Sequence, residues 1–337
     1  MAVMGRWDLI GHDGPIQAIE TWLARGRLPH ALLIVGPPQV GKGTLALRLA
    51  QALNCIAPPK ERPCGHCHQC RRIAQGIHPD VQVMSMETGH KEIRIAQVRG
   101  LERSLYLKPY EGRMRVAIVD PADAMNLEAQ SAFLKTLEEP PDQVTLVLVT
   151  AREMRLLPTV RSRCHRLALC PVPTAVLAAA LEDQGLPPEE ANALARLADG
   201  RPGLAIALAT DPSLAQRWQE EVRRAASIPL LGVRKRLEMA QAIAAEPGPW
   251  GPAWALEVWR RWWRDVLLVQ SGAQELVSHV RMMDELESLA SAVPPAEVAF
   301  FLEAISRTLG YLEDNVNPRL ALEALLLEAP WQQAMAA

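Results

Sequence analysis

Ala31-Leu-Leu-Ile-Val35 runs directly into Gly36-Pro-Pro-Gln-Val-Gly41-Lys42-Gly43-Thr44. Five apolar residues closed by a glycine and two prolines read as a short strand buried on both faces. Helical spacing of apolar residues then takes over from Thr44 to Leu53. A strand, a glycine-bounded loop and a helix form the arrangement that cradles phosphate. Loop N–H groups and the helix N-terminus favour the anion, and Lys42 is placed to reach the terminal phosphates. The complete motif needs Ser or Thr directly after the lysine to hold Mg²⁺, and that position is Gly43. Thr44 comes one residue late, and one step along a helix turns a side chain by about 100°. Its hydroxyl is therefore expected to point away from the metal.

The second acidic element carries a matching loss. Arg115-Val-Ala-Ile-Val-Asp120 reads as a strand ending in an acid, the usual second metal partner, but the next residue is Pro121. A hydrolytic site would carry a water-activating glutamate there, and proline neither accepts a proton nor donates a backbone hydrogen bond. Without the hydroxyl and the base, this chain is not expected to hydrolyse nucleotide.

The chain has 337 residues, 49% of them apolar and 22% charged, which fits an ordinary globular composition of two or three domains. Its 36 basic and 38 acidic residues give a formal charge of −2, so any nucleic-acid contact is expected to be local or shared with partners. The uncharged stretch 167–181 is 15 residues long and holds two prolines, too short for a membrane span. No apolar signal run opens the chain, and a cytoplasmic location is expected. Further strands are expected at 116–119, 144–149 and 166–170, with helices at 15–25, 95–105 and 126–137, giving a doubly wound α/β domain with a parallel sheet. After Pro171-Val172-Pro173 the pattern turns helical: 174–182, 188–198, 203–209, and no convincing strand from about Pro212 onward. Val258, Trp259, Trp262, Trp263, Val266 and Leu267 lie on one helical face and read as core rather than base-stacking platforms.

Cys55-x₈-Cys64-x₂-Cys67-x₂-Cys70 supplies four soft ligands, the number a closed tetrahedral zinc site takes. Free thiols, a disulfide pair, or a site using His66 or His68 are the alternatives. A closed Cys₄ site leaves no position for water, so one structural Zn²⁺ is expected. Cys164 and Cys170 read as ordinary core residues.

Together these features resemble the clamp-loader subunits of bacterial DNA polymerase III, an AAA+ family, and within it the delta prime branch. Trp7-Asp-Leu-Ile-Gly-His12, Pro29–Val35, the four cysteines, His78-Pro-Asp80, Leu134-Lys-Thr-Leu-Glu-Glu-Pro-Pro141, Ser162-Arg163-Cys164 and Asn315-Val-Asn-Pro-Arg319-Leu-Ala-Leu-Glu323 carry the likeness in their order and spacing. The resemblance implies an AAA+ P-loop domain over 1–169 with the zinc module at about 55–70, a small helical lid over 170–212, and an all-helical oligomerising collar over 213–337. It implies a five-subunit ring with motor and delta subunits that loads the sliding clamp on primer-template DNA, away from any membrane, as part of the replicative polymerase holoenzyme. Gly36, Gly41, Lys42, Thr44 and Asp120 would form a degenerate nucleotide site, with ATP or ADP binding left open. Gly203 stands where motor subunits carry a sensor arginine. Arg163 would be the arginine finger offered in trans to a neighbouring ATPase, and Arg99, Lys135 and Thr159 would touch DNA phosphates. Rival readings are an active P-loop motor subunit, a zinc-containing DNA-binding protein, and a pure scaffold in which Arg163 is an ordinary surface ion pair.

Overall fold

The computed structural model describes residues 6–87, 89–246, 248–314 and 316–331. The chain divides into two compact units: one comprises residues up to 191 together with 199–204, and the other 192–198 together with 205 onward. The segment expected to form a lid, 170–212, is shared between them.

In the first unit the order is α1 (Asp13–Ala24), β1 (Ala31–Val35), α2 (Lys42–Asn54), α3 (His68–Ala74), β2 (Val81–Met84), α4 (Ile95–Leu105), β3 (Arg115–Val119), α5 (Leu127–Glu138), β4 (Val144–Thr150), α6 (Pro158–Arg161), β5 (His165–Ala168) and α7 (Thr174–Asp183). The strands form a sheet in the order β2-β3-β4-β1-β5, parallel throughout. Side chains alternate across it. Leu32, Ile34, Ile118 and Val149 meet Ile19 of α1 and Leu45 and Leu49 of α2 on one face. On the other, Leu33, Val35, Val119 and Leu148 meet Val98, Leu101 and Phe133 of α4 and α5. This is the parallel sheet covered on both sides that the apolar runs required.

The sequence patterns located four of the five strands. The missing one, β2, is an edge strand in which Gln82 and Val83 are not buried, so it never makes a continuous apolar run. β5, the other edge, begins and ends slightly earlier than its apolar residues suggest, because His165 and Arg166 pair with Leu32 and Leu33 although both are exposed.

Among the described residues α8 (Pro188–Ala198), α9 (Pro202–Thr210), α10 (Pro212–Ser227), α11 (Val233–Ala245), α12 (Pro252–Gln270), α13 (Met283–Ala292), α14 (Pro295–Glu313) and α15 (Pro318–Leu327) complete the chain without a strand. Within the second unit α12 is the hub, packed against α10, α13 and α14. Trp259, Trp262 and Trp263 are fully buried on it. Trp263 meets Phe301 edge-on at 5.1 Å, and the Trp259 indole N–H donates to Glu221 at 2.6 Å. The tryptophans are core, as the helical spacing implied. On α15, Leu322, Leu325 and Leu326 are buried while Leu320 and Leu327 face outward; Asn315 and 332–337 lie outside the described residues. No single described helix is long and apolar enough to cross a membrane.

Arg236 is fully buried, with no acidic partner among the described residues. Its guanidinium donates to the carbonyls of Leu231, Leu326, Ala329, Ile228 and Pro330 at 2.7 to 3.2 Å and stacks on Trp331 at 3.8 Å. It thereby closes the C-terminal end of α15 onto the start of α11. Replacing it leaves those carbonyls without a donor, and each unsatisfied buried group costs about 1–3 kcal/mol. Arg236→Met is expected to lower stability by at least about 3 kcal/mol in urea unfolding followed by tryptophan fluorescence. Arg236→Lys, with one nitrogen in place of three, should recover less than half of the loss.

Candidate phosphate loop and metal module

The loop from Gly36 to Gly41 leaves the carboxyl end of β1, and its backbone needs glycine where it does so. Gly41, at φ +109°, caps α2, and a Cβ there would lie 2.7 Å from Leu9 Cδ2. Gln39 takes the left-handed conformation too, at φ +61°, although it is not glycine. Lys42 is buried, and its ammonium donates to the loop's own carbonyls, Gly36 O at 2.8 Å and Pro37 O at 2.6 Å. Burial pulls its pKa below the usual lysine value, against the opposing pull of Asp120 and Asp123. Thr44 is exposed, as the one-residue offset implied.

Asp120 follows β3 and lies against the start of α2. A Cβ built on Gly43 would sit 3.0 Å from Asp120 Oδ2, so the acid fills the space in which a hydroxyl-bearing side chain would stand. Burial raises the Asp120 pKa, opposed by Lys42. Two neighbours that the sequence reading missed complete this edge. The Thr150 hydroxyl, at the end of β4, donates to Asp123 Oδ1 at 2.6 Å, and Arg152 Nε donates to Asp123 Oδ2 at 2.8 Å. Their only sequence signal was position, just after the strand expected at 144–149.

Gly203 also reaches the loop. Its N–H donates to Gln39 O at 2.8 Å, and a Cβ at that position would lie 2.8 Å from the same oxygen. At Gly203 the backbone itself closes onto the loop.

Arg163 lies between α6 and β5. Its guanidinium pairs with Glu138 at 2.5 Å and donates to Thr159 O at 3.0 Å, with about a third of the side chain exposed. The surface ion pair weighed in the sequence is thus present within the chain. Cys164 beside it is pushed up to about 12 by burial, whereas Cys170 is exposed, contrary to its reading as core. Arg99, Lys135 and Thr159 are all exposed, on α4, α5 and α6, which cover the same face of the sheet. Only Thr159 lies in a first turn; Lys135 is in the last turn of α5.

The four clustered cysteines converge from the end of α2 and the start of α3. Their sulfurs all lie within 4.8 Å of one another, with Cys55 and Cys67 at 3.9 Å and Cys64 and Cys70 at 4.0 Å. Sulfurs bound to one tetrahedral zinc at about 2.3 Å stand about 3.8 Å apart. The set therefore fits a single ion, and no disulfide is formed. Backbone N–H groups of Cys67 and Cys70 each donate to a ligand sulfur at 3.4 Å. Burial pushes the Cys67 thiol up, but the Cys70 and Ile56 amides outweigh it and bring it down to about 6. Burial raises Cys55 and Cys70. His66 and His68 are exposed and are not among the converging groups.

Residues 11–173 match the family model for the DNA polymerase III delta subunit, and residues 234–330 match the model for its C-terminal region. The chain is 38% identical over 224 residues to DNA polymerase III subunit delta' of Pseudomonas aeruginosa, covering 66% of this chain and 65% of that one. Against subunit delta' of Bacillus subtilis it is 28% identical, covering 90% and 92% of the two chains. Against subunit gamma/tau of Mycobacterium tuberculosis it is 26% identical, covering 94% and 59%. The chain thus spans less than two thirds of the Pseudomonas and Mycobacterium proteins.

The contact at Gly203 makes a local prediction. Gly203→Ala places a methyl against Gln39 O and should cost about 1–3 kcal/mol. Gly14→Ala, where nothing lies within 4 Å of the added Cβ, should leave the urea midpoint unchanged or slightly raised.

Proposed function

Because the chain belongs to the DNA polymerase III delta-subunit family, we propose that it is a non-hydrolysing, delta prime-type subunit of the bacterial clamp loader. The observation that carries this reading is the pair of residues at the loop's edge. Gly43 has no hydroxyl, with Asp120 Oδ2 3.0 Å from where its Cβ would stand, and Pro121 follows the acid. ATP hydrolysis at such a loop uses a metal-binding hydroxyl and an activated water, and Gly43 and Pro121 supply neither. The isolated chain should show no ATP turnover above background. A steady-state rate near about one per second, in the ordinary kinase range, and abolished by Lys42→Ala, would make it a motor subunit instead.

In the assembled ring this subunit would act on a neighbour through Arg163. A guanidinium set against a γ-phosphate stabilises charge that grows in the transition state, which raises kcat rather than binding. Its present partner, Glu138, is half exposed, and such a pair is worth about 0–1 kcal/mol. Exchanging that carboxylate for a phosphate therefore costs little. Arg163→Ala should fold and assemble normally but lower the clamp- and DNA-stimulated ATPase of the reconstituted complex without abolishing it, since the other sites keep their own groups. Arginine supplied in trans is worth about 10³–10⁵ in kcat where it is best measured. Arg163→Lys should be nearly as poor, because an ammonium lacks the planar fork. Equal ATPase rates in wild type and both variants would leave the scaffold reading.

The exposed Arg99, Lys135 and Thr159 suit contact with template phosphates, which positions a duplex without reading its sequence. Motor and delta subunits, the sliding clamp and primer-template DNA are the proposed partners, and the cytoplasm the proposed location. Cys55, Cys64, Cys67 and Cys70 would hold one Zn²⁺, whose contribution is to cross-link the loop between α2 and α3. Metal analysis of protein prepared without chelators should return one zinc per chain, falling to near zero in Cys67→Ser. Protein purified free of metal would refute the assignment.

A further inference from the structure

Five consecutive backbone N–H groups, from Tyr110 to Met114, are taken up by just two side chains. Asp80 accepts from Tyr110 at 2.7 Å, Glu111 at 2.9 Å and Gly112 at 2.7 Å. Asn54 Oδ1 accepts from Arg113 at 2.8 Å and Met114 at 3.0 Å. Both acceptors are 1% exposed, so they depend on these amides in place of water. Gly112 is required where the two meet, since a Cβ there would lie 2.5 Å from Asn54 Oδ1.

The two acceptors are fixed from the metal module. Asn54 is the last residue of α2 and directly precedes the ligand Cys55. Gln69 stands in α3 between the ligands Cys67 and Cys70; its amide N–H₂ donates to Glu111 O at 3.1 Å and its oxygen accepts from His78 Nε2. The Asp80 N–H donates to His78 Nδ1 at 3.0 Å, which leaves the ring proton on Nε2 and completes a chain from Gln69 to Asp80. Arg72, on the same helix, pairs with the Glu111 carboxylate. From the far side, Arg115 donates to Lys108 O at 2.9 Å and pairs with Asp80. The segment so held carries Tyr106, Leu107 and Tyr110, exposed by 57%, 62% and 83%.

We propose that the four-cysteine metal module is the anchor of the 106–114 segment, with Asn54 and Gln69 as its positioning residues. Binding of the ion fixes the end of α2 and the start of α3, and these residues then set the backbone that displays Tyr106, Leu107 and Tyr110. Without the ion, four thiols no longer bridge the helices. Asn54 and Gln69 then lose their fixed spacing, and the Arg113 and Met114 amides lose their shared acceptor. Coupling of this kind is reciprocal, so disturbing the segment must also weaken the hold on the metal. The proposal rests on the zinc reading given above.

The test is amide hydrogen exchange on the full chain, loaded with zinc and stripped by a chelator. On stripping, the Arg113 and Met114 amides should exchange about tenfold faster or more, while those of β1 and β4 keep their rates. Zinc-loaded Asn54→Ala should retain one ion, show the same acceleration at Arg113 and Met114, and release zinc to a competing chromophoric chelator at lower chelator concentration. Unchanged exchange at 110–114 in the stripped chain overturns the proposal while leaving the zinc assignment intact. If the stripped chain unfolds as a whole, Asn54→Ala decides: wild-type exchange and an unshifted chelator midpoint overturn the coupling. Failure to find metal in the untreated protein overturns the zinc reading and, with it, the anchor.

Discussion

A parallel strand buried on both faces has no water to satisfy its backbone, so each N–H and C=O must be met by a neighbouring strand. That requirement fixes β1 between β4 and β5 and β3 beside β4, and it brings their carboxyl ends to one edge. The phosphate loop, Asp120 and Thr150 are adjacent for this reason alone, although they are far apart in sequence.

The same demand for satisfaction governs the charges placed at that edge. A buried ammonium needs acceptors, and Lys42 finds them in Gly36 and Pro37. Asp123 is saturated by Thr150 and Arg152. The polar groups at this edge therefore serve one another. Chemistry would require a hydroxyl at Gly43 and a base at Pro121, and neither residue type can supply it.

Elsewhere, single side chains satisfy several backbone groups at once. Asp80 and Asn54 together accept from five amides, and Arg236 donates to five carbonyls. In the second unit, Asp265 accepts from the Ser278 and His279 amides and from His279 Nδ1 at 2.7 to 2.9 Å. Such hubs are placed where the chain runs without helix or strand partners. Each therefore makes a non-repetitive segment as well defined as a regular element.

Local signals in the sequence determined the elements and the chemistry. The run Ala31–Val35 and its loop, the helical spacing around Trp259, and the four cysteines each announce themselves within about twenty residues, because periodicity and ligand spacing are short-range properties. Gly43 and Pro121, each directly beside a residue of the expected nucleotide site, are legible in the same short-range way. Tertiary structure decided what depends on groups distant in the chain. It made Val81–Met84 an edge strand, set Glu138 against Arg163, placed Gln39 under Gly203, and assigned Asn54 to amides some sixty residues away. His78-Pro-Asp80 was visible as a motif, but its purpose was not, since an aspartate that holds three amides looks in sequence like any other acid. Burial and hydrogen-bond pairing are properties of the packed chain, and only folding brings those partners within reach of one another.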